Sequence, residues 1–388
     1  MSMDLERIDL DTIQPNGKRG ETQRPAFTKI NQNFQQVGQA VNDIPGQLAD
    51  AMVRTPARRN RLINGNFDIW QRGSSFSISG NYTADRWFLQ KGSIEDAVFR
   101  RNPVAAGDNN FPLSTYTLSV SSSGNTDGAN HFFVFEQRVE GVRSLTGVES
   151  TVSFLVFNAG AAGRKIALEF AQTFGAGGST PVLGIAPEVF ELAPGLNRIR
   201  KTVTLPTISG KTLAGEGAAV VGIWVTAGTN FSARTAGLGA QQGQLYFGEF
   251  QWEAGTLATP FEWRPRSEEL WQCQRYYQVD ALGADFDGGL RFNAGVGLIR
   301  GDNAVYLTYR FNQRMRVAPT VSFSNLSQWR LLTGNGATGL TALSAAEVSL
   351  TRMTIIGALS GATAGQAGIL QSGDSAAEGT GLTLDAEI

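Results

Sequence analysis

The chain has 388 residues, too many for one ordinary core at about 150 residues per domain, and its 46 glycines with only 17% charged residues favour strands and turns. Lys plus Arg number 33 against 34 acids, which excludes a strong global field for nucleic acid or an anionic membrane. One cysteine, Cys273, and one histidine, His131, exclude internal disulfides and Cys/His zinc clusters.

The opening MSMDLERIDLDTI is acidic where a secretory leader needs a basic flank and an apolar run. The longest apolar window, residues 218–227, is about half a bilayer span. The reading is a leaderless, soluble protein made in a cytoplasm, with no membrane insertion. Residues 1–26 are polar and broken by Pro15, Gly17, Gly20 and Pro25, and read as an attachment arm that orders against a partner.

At Phe27 the pattern changes. Phe27, Ile30, Phe34, Val37, Val41, Ile44, Leu48 and Ala51 follow alternating spacings of three and four, the a and d positions of a heptad. The spacing predicts a helix from Phe27 that kinks or stops at Pro45, because proline removes a donor and clashes with the preceding turn. One such helix leaves its apolar stripe in water, and no apolar segment adjoins it in sequence, so a homo-oligomeric bundle is expected. Mixed aromatic and β-branched residues at both a and d favour three strands, hence a homotrimer. The Arg-rich stretch that follows, with Arg54, Arg58, Arg59 and Arg61, reads as a solvated linker completing a module over 27–59. Glu262, Glu268 and Glu269 are its expected ion-pair partners.

Residues 60–265 carry a β pattern throughout. HFFVFEQRV (131–139), TVSFLVF (151–157), KIALEFAQTF (165–174), AVVGIWV (219–225) and QLYFGEFQWE (244–253) are predicted strands, as are the alternations at Tyr116, Leu118, Val120 and at Ile199, Val203, Leu205. Short strands between glycine-rich turns predict a jelly-roll β-sandwich. Residues 266–388 open with a short helix capped by Ser267, with Cys273 facing a core. They continue as a C-terminal β-sandwich-like domain whose strands include RFNAGVGLI, AVYLTYRF, PTVSF and GLTLDAEI. The fold class is therefore mostly β behind a short N-terminal coiled coil.

Several motifs offer chemistry. ISGKT ends like a phosphate-binding loop, but Leu205 stands where its leading glycine belongs and no helix follows, so a hairpin turn is expected. His131 shares a strand face with Phe133, Phe135 and Val139 without a nucleophile signature, and reads as structural. Glu136, Glu140, Glu169 and Glu249 meet the minimal carboxylate requirement of a glycosidase, as almost any protein does. Trp87, Trp224 and Trp252 read as core. Trp329, in the polar stretch SNLSQWR with Asn325 and Gln328, is the candidate for an exposed glycan platform.

RNRLINGNFDIWQRG (59–73), YTADRW (82–87) and FQWEAGTLATPFEWRPRSEELWQCQRYYQ (250–278) closely resemble the opening, early strand and closing segment of modules in tailed-bacteriophage tail-fibre and related virion proteins. RPAFTKINQNF resembles the attachment ends of such fibres. The resemblance implies a non-enzymatic, trimeric virion (tail) component. Its residues 1–26 would dock on phage tail or baseplate proteins, its jelly roll would be similar to carbohydrate-binding modules, and its distal β domain would meet a bacterial surface glycan or protein receptor. In similar modules a structural calcium can bridge the first and last strands. The matching positions are near Asp68 and Glu249, too few oxygens for that cation, and no metal or other cofactor is expected. The YTADRW and CQRYY residues read as packing elements. The alternatives are an architectural head-fibre, collar or baseplate element, and a polysaccharide-degrading tailspike, for which no parallel-β-helix repeat is visible.

Overall fold

The computed structural model describes residues 8–20, 22–54, 59–94, 97–122, 128–282, 292–372 and 380–388, with the backbone alone at 23, 40–54, 281–282 and 380. Two compact units emerge, Met1–Arg59 and Asn60–Ile388.

In the first unit, residues 8–20 make a tight reversal. Gln14 N–H donates to Lys18 O and Gly17 N–H to Gln14 O, both at 2.8 Å, and Asp9 Oδ1 accepts from the N–H groups of Asp11 and Thr12 at 2.9 and 3.0 Å. Helix α1 (Gln23–Arg54) follows. It starts four residues before Phe27 and runs through Pro45, where the sequence predicted a break. The ring forfeits one hydrogen bond, but its fixed φ near −65° is itself helical, so the backbone continues. Phe27, Phe34 and Val37 are 62%, 72% and 38% exposed and Ile30 is half-buried. The side chains of Val41, Ile44, Leu48 and Ala51 lie outside the described residues.

The second unit opens with twelve described strands: β1 (Ser75–Phe76), β2 (Asn81–Tyr82), β3 (Trp87–Gly92), β4 (Ala97–Pro103), β5 (Tyr116–Ser122), β6 (Phe132–Glu140), β7 (Glu149–Asn158), β8 (Arg164–Thr173), β9 (Val182–Leu192), β10 (Gly195–Thr204), β11 (Ala218–Ala227) and β12 (Gly243–Ala254). They pair antiparallel into two six-stranded sheets, β1-β4-β5-β12-β7-β10 (sheet A) and β2-β3-β6-β11-β8-β9 (sheet B). The inward residues of both sheets make one core, in which Phe154 stacks on Phe250 at 4.4 Å and Trp87 meets Phe250 edge-on at 4.9 Å. Trp87, Trp224 and Trp252 are buried, as their alternation predicts. Trp224 faces outward from sheet B, under a lid made by helix α2 (Ser232–Thr235) and its flanks, and joins Val134, Ala167 and Leu238 in a small second cluster. That lid explains why β11 is apolar on both faces.

Helix α3 (Arg266–Gln274) follows. It is preceded by Pro265 rather than capped by Ser267, and Cys273 is fully buried, its thiol pushed well up by desolvation. The C-terminal part then builds a second sandwich from β13 (Tyr277–Leu282), β14 (Phe292–Ile299), β15 (Ala304–Arg310), β16 (Thr320–Phe323), β17 (Trp329–Thr333), β18 (Gly336–Gly339), β19 (Ala342–Ala346), β20 (Arg352–Ala358), β21 (Ala367–Ser372) and β22 (Thr380–Asp385). A three-stranded sheet, β13-β22-β16, covers one face of a seven-stranded sheet, β18-β17-β21-β14-β15-β20-β19. Leu382, Leu384 and Ala386 of the closing segment are buried between them, as their shared face requires.

Candidate functional site

The segments 59–73, 82–87 and 250–278 converge, and what they build is a clasp. Asn60 Oδ1 accepts from Leu62 N–H and Trp252 N–H, both at 3.0 Å, while its Nδ2 donates to Phe250 O at 2.9 Å. Arg264 Nη2 donates to Asn60 O at 2.6 Å and Nη1 to Leu62 O at 3.1 Å, and Glu269 accepts Asn64 N–H. Asn64 adopts φ 58° and donates through Nδ2 to Ile69 O and Asp85 O, and its own carbonyl accepts Trp87 Nε1 at 3.0 Å. Opening segment, early strand and closing segment are thus tied by buried side-chain-to-backbone bonds, each costly to leave unmade. Glu262 accepts Asn60 N–H and pairs with Arg264. Glu262 and Glu269, two of the three acids expected to serve the Arg-rich linker, thus take part in the clasp.

The same motifs seat the C-terminal sandwich. Arg72 pairs with Asp85 at 2.9 Å and with Glu387 at 3.1 Å, and lies 3.5 Å from the Tyr277 ring centroid. Arg86, 1% exposed, pairs with Glu387 and stacks 3.5 Å over Tyr276, whose hydroxyl donates to Glu140 Oε2 at 2.7 Å. Burial drives the Asp85 carboxyl up to about 6 despite Arg72, whose charge is shared with Glu387. Burial works against the Arg86 cation, yet Glu387 holds it above its ordinary value.

A cleft lies on the outer face of sheet A. The apolar alternation of β12 runs Leu245, Phe247, then Phe250, Trp252, and the register against β7 shifts between Gly248 and Gln251. Glu249 occupies this bulge at φ 54°, a left-handed conformation that costs a non-glycine residue on the order of 1 kcal/mol or more. It is 7% exposed, and its Oε1 has no hydrogen-bond partner. Desolvation raises its pKa, offset in part by Arg198 and a backbone bond from Leu113. The carboxylate lines a 120 Å³ cleft with Ser153, Leu155 and the segment 258–261. Exposed Arg198 and Arg200, alternating on β10 opposite Leu155 and Ser153, form its rim. The far wall is fixed: Thr259 N–H and Oγ1 donate to Glu253 at 2.8 and 2.7 Å, and Gln251 Oε1 accepts Glu262 N–H at 2.7 Å. A buried acceptor in a cleft that two arginines also line can take a polyhydroxylated ligand edge.

Trp329 is not a platform. It opens β17 facing inward, is 1% exposed, donates from Nε1 to Ser324 Oγ at 3.1 Å, and meets Phe292 and Phe323 edge-on. Its polar neighbours belong to the turn before the strand, where Asn325 Oδ1 accepts Ser327 N–H; Gln328 is half-buried beside it. The candidate glycan-binding trio Trp329, Asn325 and Gln328 therefore offers no aromatic face. Glu136, Glu140 and Glu169 pair with Arg138, Arg275 and Arg234 on sheet B, away from Glu249. His131 is buried, with Nδ1 2.8 Å from Gly128 O. ISGKT is a turn, with Lys211 N–H on Ile208 O at 3.0 Å and Gly210 at φ 75°. Asp68 Oδ1 accepts the N–H groups of Thr115 and Tyr116, and among the described residues no cluster of three or more potential metal ligands forms.

No protein-family profile matches this sequence, and no curated protein matches it. Among solved structures it is similar to the enzymatically active domain of bacteriophage CBA120 tailspike protein 4, with 12% identity and a TM-score of 0.31 over 51% of this chain and 22% of that one. A structure described as CBM4 shows 18% identity and a TM-score of 0.30 over 50% of this chain and 98% of its own. The family 11 carbohydrate-binding module of Clostridium thermocellum, solved with a β-1,3-1,4-mixed-linked tetrasaccharide, shows 12% and 0.27 over 47% and 97%. This chain thus spans about a fifth of the tailspike domain's length, and likenesses this distant assign no ligand to it.

Proposed function

We propose that this chain is a non-enzymatic, homotrimeric phage tail-fibre component that adsorbs to a bacterial surface glycan through the Glu249 cleft. One observation carries the glycan reading: Glu249 is buried, held at positive φ and left with an unpaired oxygen, three costs accepted together at the mouth of a cleft rimmed by Arg198 and Arg200. Such a site binds weakly alone. Three copies on one stalk multiply avidity by roughly 10² to 10⁴. The open heptad stripe of α1 supports the trimer, and the virion-like motifs support the particle, with residues 1–26 as the docking end.

The test is retention on a glycan array and competition with phage adsorption, each compared with Glu249→Gln and Arg198→Ala. Loss in both variants is expected; unchanged retention removes the cleft from the reading, and no retention or competition by the unaltered protein removes adhesion. The clasp favours one second reading. Because the motif residues are consumed in closing the jelly roll and seating the next sandwich, an architectural virion element would use the same residues. That reading predicts failed particle assembly when the clasp is weakened, and no retention of the unaltered protein on glycans or cells.

A further inference from the structure

Among the described residues, the seven-stranded sheet of the C-terminal sandwich is covered on one face and open on the other. On β14, Val296 and Leu298 alternate with buried Gly297 and Ile299 and are 68% and 52% exposed. Val296 pairs across the ladder with Ile369, 40% exposed, and Ile369 with Leu332. Leu298 pairs with Tyr306, and Tyr306 with Ile356. Two adjoining apolar rows therefore cross five neighbouring strands, β17-β21-β14-β15-β20. A half-solvated antiparallel sheet shows polar residues at such positions; apolar residues on both faces mark a sheet covered twice.

Charges of both signs sit at the ends of the rows. Beyond one end Arg310 and Arg352 face each other across β15 and β20, with Glu347 accepting Thr354 Oγ1 nearby. Beyond the other, Arg300 lies 4.6 Å over the Tyr306 ring, and Asp302 accepts the Tyr306 hydroxyl at 2.6 Å. An apolar centre with a mixed-charge rim is the anatomy of a protein interface. A glycan would need donors and acceptors inside the rows, and six apolar side chains supply one hydroxyl, already bonded.

We propose that this face packs against a second copy of the chain, making the C-terminal sandwich an oligomer contact additional to α1. The rim, carrying both signs, is complementary to itself. The chain also leaves a second apolar series open, at Phe27, Phe34 and Val37, so one kind of partner, another copy in parallel, covers both. Association of the helices raises the effective concentration of the sandwiches to about millimolar, where a modest patch suffices. The choice of occupant rests on the homotrimer reading above.

Sedimentation of the full chain over a dilution series tests this with Val296→Glu/Leu298→Gln, with Phe34→Asp/Val37→Asp, and with both sets combined. The sheet changes are expected to move dissociation to concentrations about tenfold higher or more, and the combined chain to be a monomer. Equal dissociation with and without the sheet changes, in the intact and in the Phe34→Asp/Val37→Asp background, overturns the proposal while leaving the helical trimer standing. Dissociation by the sheet changes alone, with the helix changes silent, upholds it and removes the helical trimer. A monomeric unaltered chain overturns both. Intact assembly with lost cell adsorption assigns the face to a receptor and also overturns it. All four positions are at the surface, and Ile369→Lys serves as a second variant should the first fail to fold.

Discussion

Arg86 and Glu387, 301 positions apart, form an ion pair whose side chains are 1% and 5% exposed, and the guanidinium is stacked on Tyr276 as it does so. Removing Glu387 leaves the Arg86 cation buried without a carboxylate, and removing Arg86 leaves Glu387 with Arg72 alone. Arg86→Met is expected to cost about 3–5 kcal/mol, and Arg86→Met/Glu387→Gln less than the sum of the two single changes. Urea unfolding of the four proteins measures the coupling; additive costs would mean the pair does not hold the two sandwiches together.

Asp85 gives this junction a pH signature. Its pKa is raised from 3.8 to about 6 by burial, so between those values the folded state binds the extra proton. Stability from this group is full below about pH 4 and declines as pH rises through about 6. Relative to Asp85→Asn, which stays neutral, the unaltered protein should lose roughly 2–3 kcal/mol across that window. Melting temperatures of the pair at matched pH check this, and a constant difference would contradict it.

At the cleft, stability and binding should move in opposite directions. Glu249→Gln removes a buried charge and is expected to stabilise the fold at neutral pH by about 1 kcal/mol while abolishing glycan retention. Glu249→Gly also relieves the positive φ and should stabilise at least as much. A destabilised Glu249→Gln would show that Arg198 compensates the carboxylate fully.

Gly65 tests the clasp. A Cβ there would lie 2.2 Å from Phe250 O, so Gly65→Ala must push the first segment off β12. A cost of about 1–3 kcal/mol is expected in thermal unfolding. Wild-type stability would mean the two segments are free to part.

Trp329→Ala separates core from platform. Removing this buried ring should cost about 3–5 kcal/mol and leave glycan retention unchanged. Loss of retention at full stability would restore the exposed role its neighbours imply.

The strands most legible in the sequence are those with strict alternation or long apolar runs, such as β6, β7, β8, β11 and β12. Strand β9 escaped because Gly184 and Pro187 punctuate Val182–Leu192; it lies at the edge of sheet B, where proline is tolerated. Trp329 misled because local polarity describes the turn before it and says nothing of which way the next strand's first residue points. Glu249 was visible as one carboxylate among several and, with Asp68, as a position matching a structural calcium bridge. The signal that singles it out was nevertheless present: the step from Phe247 to Phe250 breaks a two-residue period and marks a bulge. Arg198 and Arg200 carry no such mark, since only the sheet register brings them to Glu249.

The seat of Glu387 has a consequence for biosynthesis. While the ribosome is still short of residue 387, the jelly roll has already emerged with Arg86 unmatched, and Arg72 holding only Asp85. A product cut off before Glu387 lacks the carboxylate that pairs with Arg86, and with it this tie between the two sandwiches. The tie between the two sandwiches therefore closes only once the segment carrying Glu387 has been made.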